Sequence, residues 1–148
     1  MNKVFVAIIL FPFIAILAFK AVAISEYDMK QRYLKDQVDL LTYEVKITGI
    51  LTIDEYSNFI SKINRISDFS KAGSIVLQKG NFSGTGVLTN MQTYTPGEML
   101  SKGEAFFIYI KSSNVSNYSR LQNNGVNPDD SENLYYKAKS LSRVEKVQ

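Results

Sequence analysis

An uninterrupted apolar run near the start of the chain limits what this sequence can fold into more than any other feature. Between Val4 and Ile24 the only charged side chain is that of Lys20. A helix over this range is about 30 Å long, which matches the hydrocarbon thickness of a bilayer. The run therefore predicts a membrane-spanning helix, with Lys20 near enough to its end to reach the lipid headgroups.

A cleaved signal peptide is the alternative interpretation of residues 1–23. Lys3 precedes the apolar core, and Ala21-Val22-Ala23 has the small-x-small pattern of a signal-peptidase site. Lys20 beside that site, and the helical pattern that continues beyond it, favour a retained anchor over residues 1–24. The rest of the chain, residues 25–148, is short enough to form a single domain.

Two opposing charge patterns bear on the orientation of the anchor. Basic residues after the apolar run outnumber those before it, which by the positive-inside rule would keep the domain in the cytoplasm. Most of them lie beyond Glu26 on a helix of alternating charge, and a short basic N-terminus before an apolar run is typical of export signals. We expect a single-pass protein of the cell membrane with an extracytoplasmic C-terminal domain.

An amphipathic helix continues directly from the apolar run. Residues 24–48 contain no Pro or Gly, and one stripe recurs at three- and four-residue spacing. The stripe consists of Ile24, Tyr27, Gln31, Leu34, Val38, Leu41, Val45 and Thr48. Charged residues occupy the opposite positions, so we predict one helix over residues 4–48, closed by Gly49. The stripe, from Ile24 to Leu41 above all, is the candidate interaction surface, with the chain's own domain, with neighbouring copies or with both. We expect Val38 and Leu41 to pack on the domain, and the part from Ile24 to Gln31, nearer the membrane, to meet partner subunits.

A second helix is predicted immediately after the glycine. Thr52 and Glu55 have the spacing of a capping box, in which each side chain bonds to the backbone N–H of the other residue. The predicted helix ends near Ser67, and its buried face consists of Tyr56, Phe59, Ile60 and Ile63, with Ile66 as a further candidate.

The distal half has the pattern of a small sheet. Residues 75–78 and 87–91 are predicted strands joined by a glycine-rich loop, and residues 104–111 are the strongest strand candidate, predicted to be central. Residues 112–133 are predicted to be a long exposed loop. A last strand is predicted within residues 134–144, with a short helix as the alternative. The fold class is therefore α+β, with a small antiparallel sheet.

Composition excludes most catalytic and metal chemistry. The chain has no His and no Cys, and its formal net charge of +3 is scattered rather than clustered, so nucleic acid is not an expected partner. The loop from Gly80 to Gly86 lacks the lysine and the following helix of a phosphate-binding loop. The acidic group Asp129-Asp130-Ser131-Glu132 lacks the ligand spacing of a calcium loop. We predict no catalytic residue, cofactor, metal or small-molecule substrate.

The order of these elements resembles type IV pilin-like subunits, and the stretch from Leu34 to Thr52 resembles TadE-like minor pilins. Within it, residues 38–52 read VDLLTYEVKITGILT, a long helix closed by a charged-apolar-small-Gly-apolar turn. The resemblance implies a non-enzymatic component of a bacterial pilus or secretion apparatus, in contact with membrane lipid and with other pilin-like or envelope-complex subunits. Pilin precursors usually carry Gly or Ala before the apolar run and Glu at its fifth position, both absent here. Prepilin-peptidase processing is therefore not predicted.

Two other functions remain as alternatives to a pilin-like subunit. One is a secreted binding domain released after Ala23, and the other is an enzyme that uses Ser, Lys or Asp. The first would lack the apolar segment in its mature form, and the second would gather such side chains in a pocket.

Overall fold

The structure, a computed structural model, describes residues 2–123, 125–126 and 129–145. Its helices are α1 (Asn2–Thr48), α2 (Ile53–Ile63) and α3 (Asn117–Gln122), with a 3₁₀ turn at Asp130–Glu132. Its strands are β1 (Ile75–Phe82), β2 (Leu88–Thr93), β3 (Glu104–Val115) and β4 (Tyr135–Arg143). The predicted α+β layout of a long helix, a short helix and a small antiparallel sheet is confirmed.

Helix α1 runs without a break from the apolar segment into the domain, as predicted. Among the described residues it is the one helix long and apolar enough to cross a membrane, with a mean hydropathy of 2.6 in its most apolar window. None of that window is buried against the rest of the chain. By length and composition this segment matches the hydrocarbon thickness of a bilayer.

The turn between α1 and α2 forms as the sequence predicts. Gly49 has a φ of 73°, and its N–H donates to the carbonyl of Val45 at 2.8 Å. The Glu55 N–H donates to the Thr52 hydroxyl at 3.2 Å, and the Thr52 N–H donates to the Glu55 carboxylate at 2.8 Å. The capping box is therefore present in both directions. Phe59 and Ile63 are buried as predicted.

The sequence pattern predicts the end of α2 too late, near Ser67. The helix ends at Ile63, and the next residues form tighter turns in which the Ile66 N–H donates to the Ile63 carbonyl at 2.8 Å. Such i→i+3 bonds are common at helix ends. Ile66 stays buried because the turn keeps it over the core.

The positive φ of Gly49 gives a direct test of this turn. Gly49→Val should lower the free energy of unfolding by about 2 kcal/mol or more, because a β-branched residue is strained in the left-handed region. Thr52→Ala should cost about 1 kcal/mol through the lost cap. Denaturant titration of both variants measures the order. A Gly49→Val variant as stable as the unchanged chain would show that the turn is not needed.

The four strands form one antiparallel sheet in the order β2-β1-β3-β4. Strand β3 is central and β4 is a strand, both as predicted. The β1–β2 hairpin has longer strands than expected, and its loop shortens to residues 83–87. Gly80 lies inside β1, where a Cβ atom would stand 2.9 Å from the Thr89 carbonyl oxygen. Gly80, which the sequence pattern places in a loop, thus allows β1 and β2 to approach closely.

The prediction of an exposed loop over residues 112–133 is wrong for much of its length. Strand β3 continues to Val115, and α3 follows one residue later. Ser116 caps α3 by accepting a hydrogen bond from the Ser119 N–H at 3.2 Å, and the Ser119 hydroxyl accepts one from the Leu134 N–H at 3.0 Å. Serine is typical of loops, but here one serine caps a helix and the other is a buried hydrogen-bond acceptor. Residues 124, 127 and 128 of the predicted loop lie outside the described residues.

The core lies between α1, α2 and the sheet. Helix α1 runs beside the edge strand β4, from a hydrogen bond of Tyr27 with Tyr135 to one between the Glu145 N–H and the Lys46 carbonyl. Fully buried side chains in this layer include Leu34, Val38, Val45, Leu51, Ile63, Phe106, Ile108 and Ile110. The part of the domain that follows α1, residues 50–145, is called the head below.

Tyr94 joins the α1–α2 turn to the connection between β2 and β3. Its hydroxyl accepts a hydrogen bond from the Leu51 N–H at 2.9 Å and donates one to the Glu98 carbonyl at 2.7 Å. Burial raises the pKa of the Tyr94 hydroxyl, so it keeps its proton and its role as a donor. This link fixes the end of the head farthest from the apolar segment.

Candidate functional site on the long helix

The inward face of α1 carries the predicted interaction stripe and packs on the head itself. Leu34 and Val38 are 0% exposed and Leu41 is 4% exposed, all within the main core. Side chains so completely enclosed have no free surface for a partner. These three residues therefore attach the helix to its own domain, the first of the two roles considered for the stripe.

Gln31 and Tyr27, farther down the same face, also bind the head. The Gln31 amide donates to the Lys137 carbonyl at 2.6 Å, and its oxygen accepts from the Lys137 N–H at 3.2 Å. Because β4 is an edge strand, Gln31 satisfies backbone groups that no further strand pairs with. The Tyr27 hydroxyl donates to the Tyr135 carbonyl at 3.4 Å, and its ring stacks on that of Tyr136 at 5.3 Å between centroids.

Ile24 differs from the rest of the stripe because 43% of its surface is exposed. It stands at the end of the apolar run, one turn before Tyr27. Of the six residues from Ile24 to Leu41 in the predicted stripe, it retains the most surface for lipid or a partner.

A second apolar stripe, called the outer face below, lies on the opposite side of α1. Its members are exposed large side chains: Met29 (65%), Tyr33 (41%), Leu40 (55%) and Tyr43 (59%). Val38 lies nine positions after Met29, which corresponds to a rotation of about 180° around a helix with 3.6 residues per turn. The helix thus has apolar stripes on two sides, and the head covers only one of them.

Sequence reasoning missed the outer face, although a signal was present. Positions 29, 33, 36, 40 and 43 follow the alternating four- and three-residue spacing of a helix seam. Asp36 occupies the middle position, and charged neighbours surround the others. The inward stripe is more regular and by itself predicts the same helix, so the sequence alone does not single out the second pattern.

Ion pairs within α1 flank the outer face. The Lys30 ammonium lies 2.6 Å from the Glu26 carboxylate, and the Lys35 ammonium lies 2.5 Å from the Asp39 carboxylate. The hydrogen bond with Asp39 raises the pKa of Lys35. Because these charges are paired along the helix, covering the neighbouring apolar side chains leaves them paired.

Other candidate chemistry from the sequence has structural roles. Glu55 belongs to the capping box, and the loop after Gly80 closes the hairpin, where the Val87 N–H donates to the Ser83 hydroxyl at 3.1 Å. Asp129 accepts a hydrogen bond from the Ser131 N–H at 3.0 Å. Within the described part of the chain, no group of three or more His, Cys, Asp or Glu residues could hold a metal ion.

Comparisons with family models, with curated proteins and with solved structures find no match to this chain. The geometry of the helix and the head is therefore the basis for a functional assignment. Its two main features are an apolar segment whose most apolar window is unburied among the described residues and an outer face left exposed beyond that segment.

Proposed function

We propose that the protein is a non-enzymatic, membrane-anchored pilin-like subunit of a bacterial pilus or secretion apparatus. Residues 4–24 lie in the cell membrane, and the head stands on the extracytoplasmic side. The outer face of α1 packs against the corresponding helix of a neighbouring copy or of another pilin-like subunit. The observation that carries the proposal is that large apolar and aromatic side chains of this face are exposed, while Leu34, Val38 and Leu41 of the inward face are buried by the head.

The height of the outer face favours a protein partner over lipid. Leu40 lies sixteen residues beyond Ile24, about 24 Å along the helix axis. The headgroup layer adds only about 6 Å to each side of the hydrocarbon. Tyr43 and Leu40 therefore stand above the bilayer, where only another protein can cover them.

Anchoring makes such an association easier to form. Copies held in one membrane by the same segment share orientation and height, so their outer faces meet without the full loss of translational and rotational freedom. Met and Tyr are among the residues enriched at protein interfaces. The alternating four- and three-residue spacing suits packing of one helix against another.

The alternative, a secreted binding domain released after Ala23, makes the opposite prediction for the mature chain. Ala23 is 6% exposed and lies inside a continuous helix, whereas signal peptidase needs an accessible extended segment. We expect the native protein to remain in the membrane fraction with residues 1–23 retained. Intact-mass spectrometry decides between the two, and a mature chain that begins at Ile24 would support release.

Association is tested by producing tagged and untagged chains in the same cells. The proposal predicts that the untagged chain co-purifies with the tagged one from mild detergent. Mixing the two after separate solubilisation is the control for association that arises only in detergent. A tagged chain that purifies without copies or other envelope subunits would contradict the subunit role.

A further inference from the structure

The head covers α1 down into the apolar segment itself. Ala23 is only 6% exposed, whereas the alanines at positions 7, 18 and 21 of the same helix are exposed. Ala23 lies one turn before Tyr27 on the inward face, and α3 contacts α1 in this region, with the Tyr118 ring 6.4 Å from the Tyr27 ring. The end of the head that contains α3 therefore reaches the level at which the helix leaves the hydrocarbon.

That end of the head exposes apolar side chains that the described part of the chain leaves uncovered. Leu121 in α3 is 49% exposed, and Leu134, just before β4, is 39% exposed. The two are held together because the Leu134 N–H donates to Ser119 and the Leu134 carbonyl accepts from the Ser116 N–H at 2.7 Å. They belong to one edge of the head, on the side nearest the apolar segment of α1.

Aromatic and basic side chains surround this edge. Tyr118 and Tyr135 are half-buried, and the Lys111 ammonium lies 4.0 Å from the centre of the Tyr135 ring. Tyrosines with adjacent basic side chains are typical of the membrane–water interface, where an apolar ring meets the headgroups.

From these observations we infer that the α3 end of the head docks on the bilayer that holds α1, with Leu121 and Leu134 inserted among the headgroups. The occupant is the lipid interface because the edge is continuous with the helix surface that lipid already covers. Apolar burial of Leu121 and Leu134 carries the contact. The inference depends on the anchored state in the proposed function and not on assembly into a pilus.

The natural absence of Trp in the chain allows a direct test. The full-length Leu121→Trp variant is reconstituted into phosphatidylcholine vesicles with a fraction of lipid brominated near the headgroup. We expect blue-shifted emission and several-fold stronger quenching than in Met99→Trp. Met99 is 65% exposed and pairs with Ile50, just beyond the end of α1 and about 35 Å from the level of Tyr27 along the helix axis, so it serves as the matched control.

Three results would overturn the docking. Quenching equal to that of Met99→Trp would show that the edge stands clear of lipid, and blue-shifted but unquenched emission would show that protein covers it. If Leu121→Trp fails to fold, Leu134→Trp must show the same quenching, and its absence there would count equally against docking. Vesicle flotation is measured in parallel, because a chain that does not float fails as a membrane anchor, whereas a floated but unquenched chain fails only in docking.

Discussion

Leu34→Ala should lower the free energy of unfolding of the head by about 3 kcal/mol, because it leaves a cavity in a closed core. Leu34 is 0% exposed and belongs to the main core. Leu40→Ala, on the outer face of the same helix, should change it by no more than about 0.5 kcal/mol. Both variants replace a leucine of the same helix by alanine, so they differ only in the face of the helix that is altered.

Denaturant titration of the full-length protein in detergent, followed by tyrosine fluorescence, measures both variants. Val38→Ala should act in the same direction as Leu34→Ala with a smaller effect, because fewer atoms are removed. If Leu34→Ala and Leu40→Ala have equal and small effects, the helix stands free of its own head.

The second large effect is expected in assembly. Leu40→Lys should reduce co-purification of tagged and untagged chains by about tenfold or more, because the contact would lose an apolar side chain and would have to desolvate an ammonium in its place. The unfolding transition of the head should not change, since Leu40 is 55% exposed. Val87→Lys is the control, because Val87 is 60% exposed but lies in the β1–β2 loop.

If both lysine variants reduce co-purification equally, charge rather than the outer face controls association. If neither does, the outer face of α1 is not an interface.

Local patterns explain what the sequence predicts well. The long helix follows from the absence of Pro and Gly over residues 24–48, and its end follows from Gly49 and the Thr52–Glu55 capping box. Strand β3 follows from a run of aromatic and β-branched residues. Each of these signals lies within a few residues of the structure that it specifies.

The errors arise where the partner is distant in sequence. Ser116 and Ser119 have loop-forming character on their own, but the capping of α3 and the bond to Leu134 make them parts of an ordered edge. Gln31 fits an apolar stripe only because the backbone of Lys137, 106 residues away, takes both ends of its amide. No spacing rule within α1 contains that information.

The two-sided character of α1 is the part of the candidate site that only the fold reveals. From the sequence alone, the inward stripe could contact the head, neighbouring copies or both. Burial assigns Leu34, Val38 and Leu41 to the head, which leaves Met29, Tyr33, Leu40 and Tyr43 as the surface available to another subunit.

The central proposal, that the outer face lies against a second membrane-anchored subunit, is tested most directly by crosslinking in native membranes. The chain has no cysteine, so Leu40→Cys gives a single attachment point for a short photoreactive maleimide, and Val87→Cys serves as the control. Illumination should join Leu40→Cys to α1 of a neighbouring copy or of another pilin-like subunit, identified by mass spectrometry of the joined peptides, and should leave Val87→Cys unjoined. A Leu40→Cys chain that remains single, or that reacts no more than Val87→Cys, would contradict the proposal.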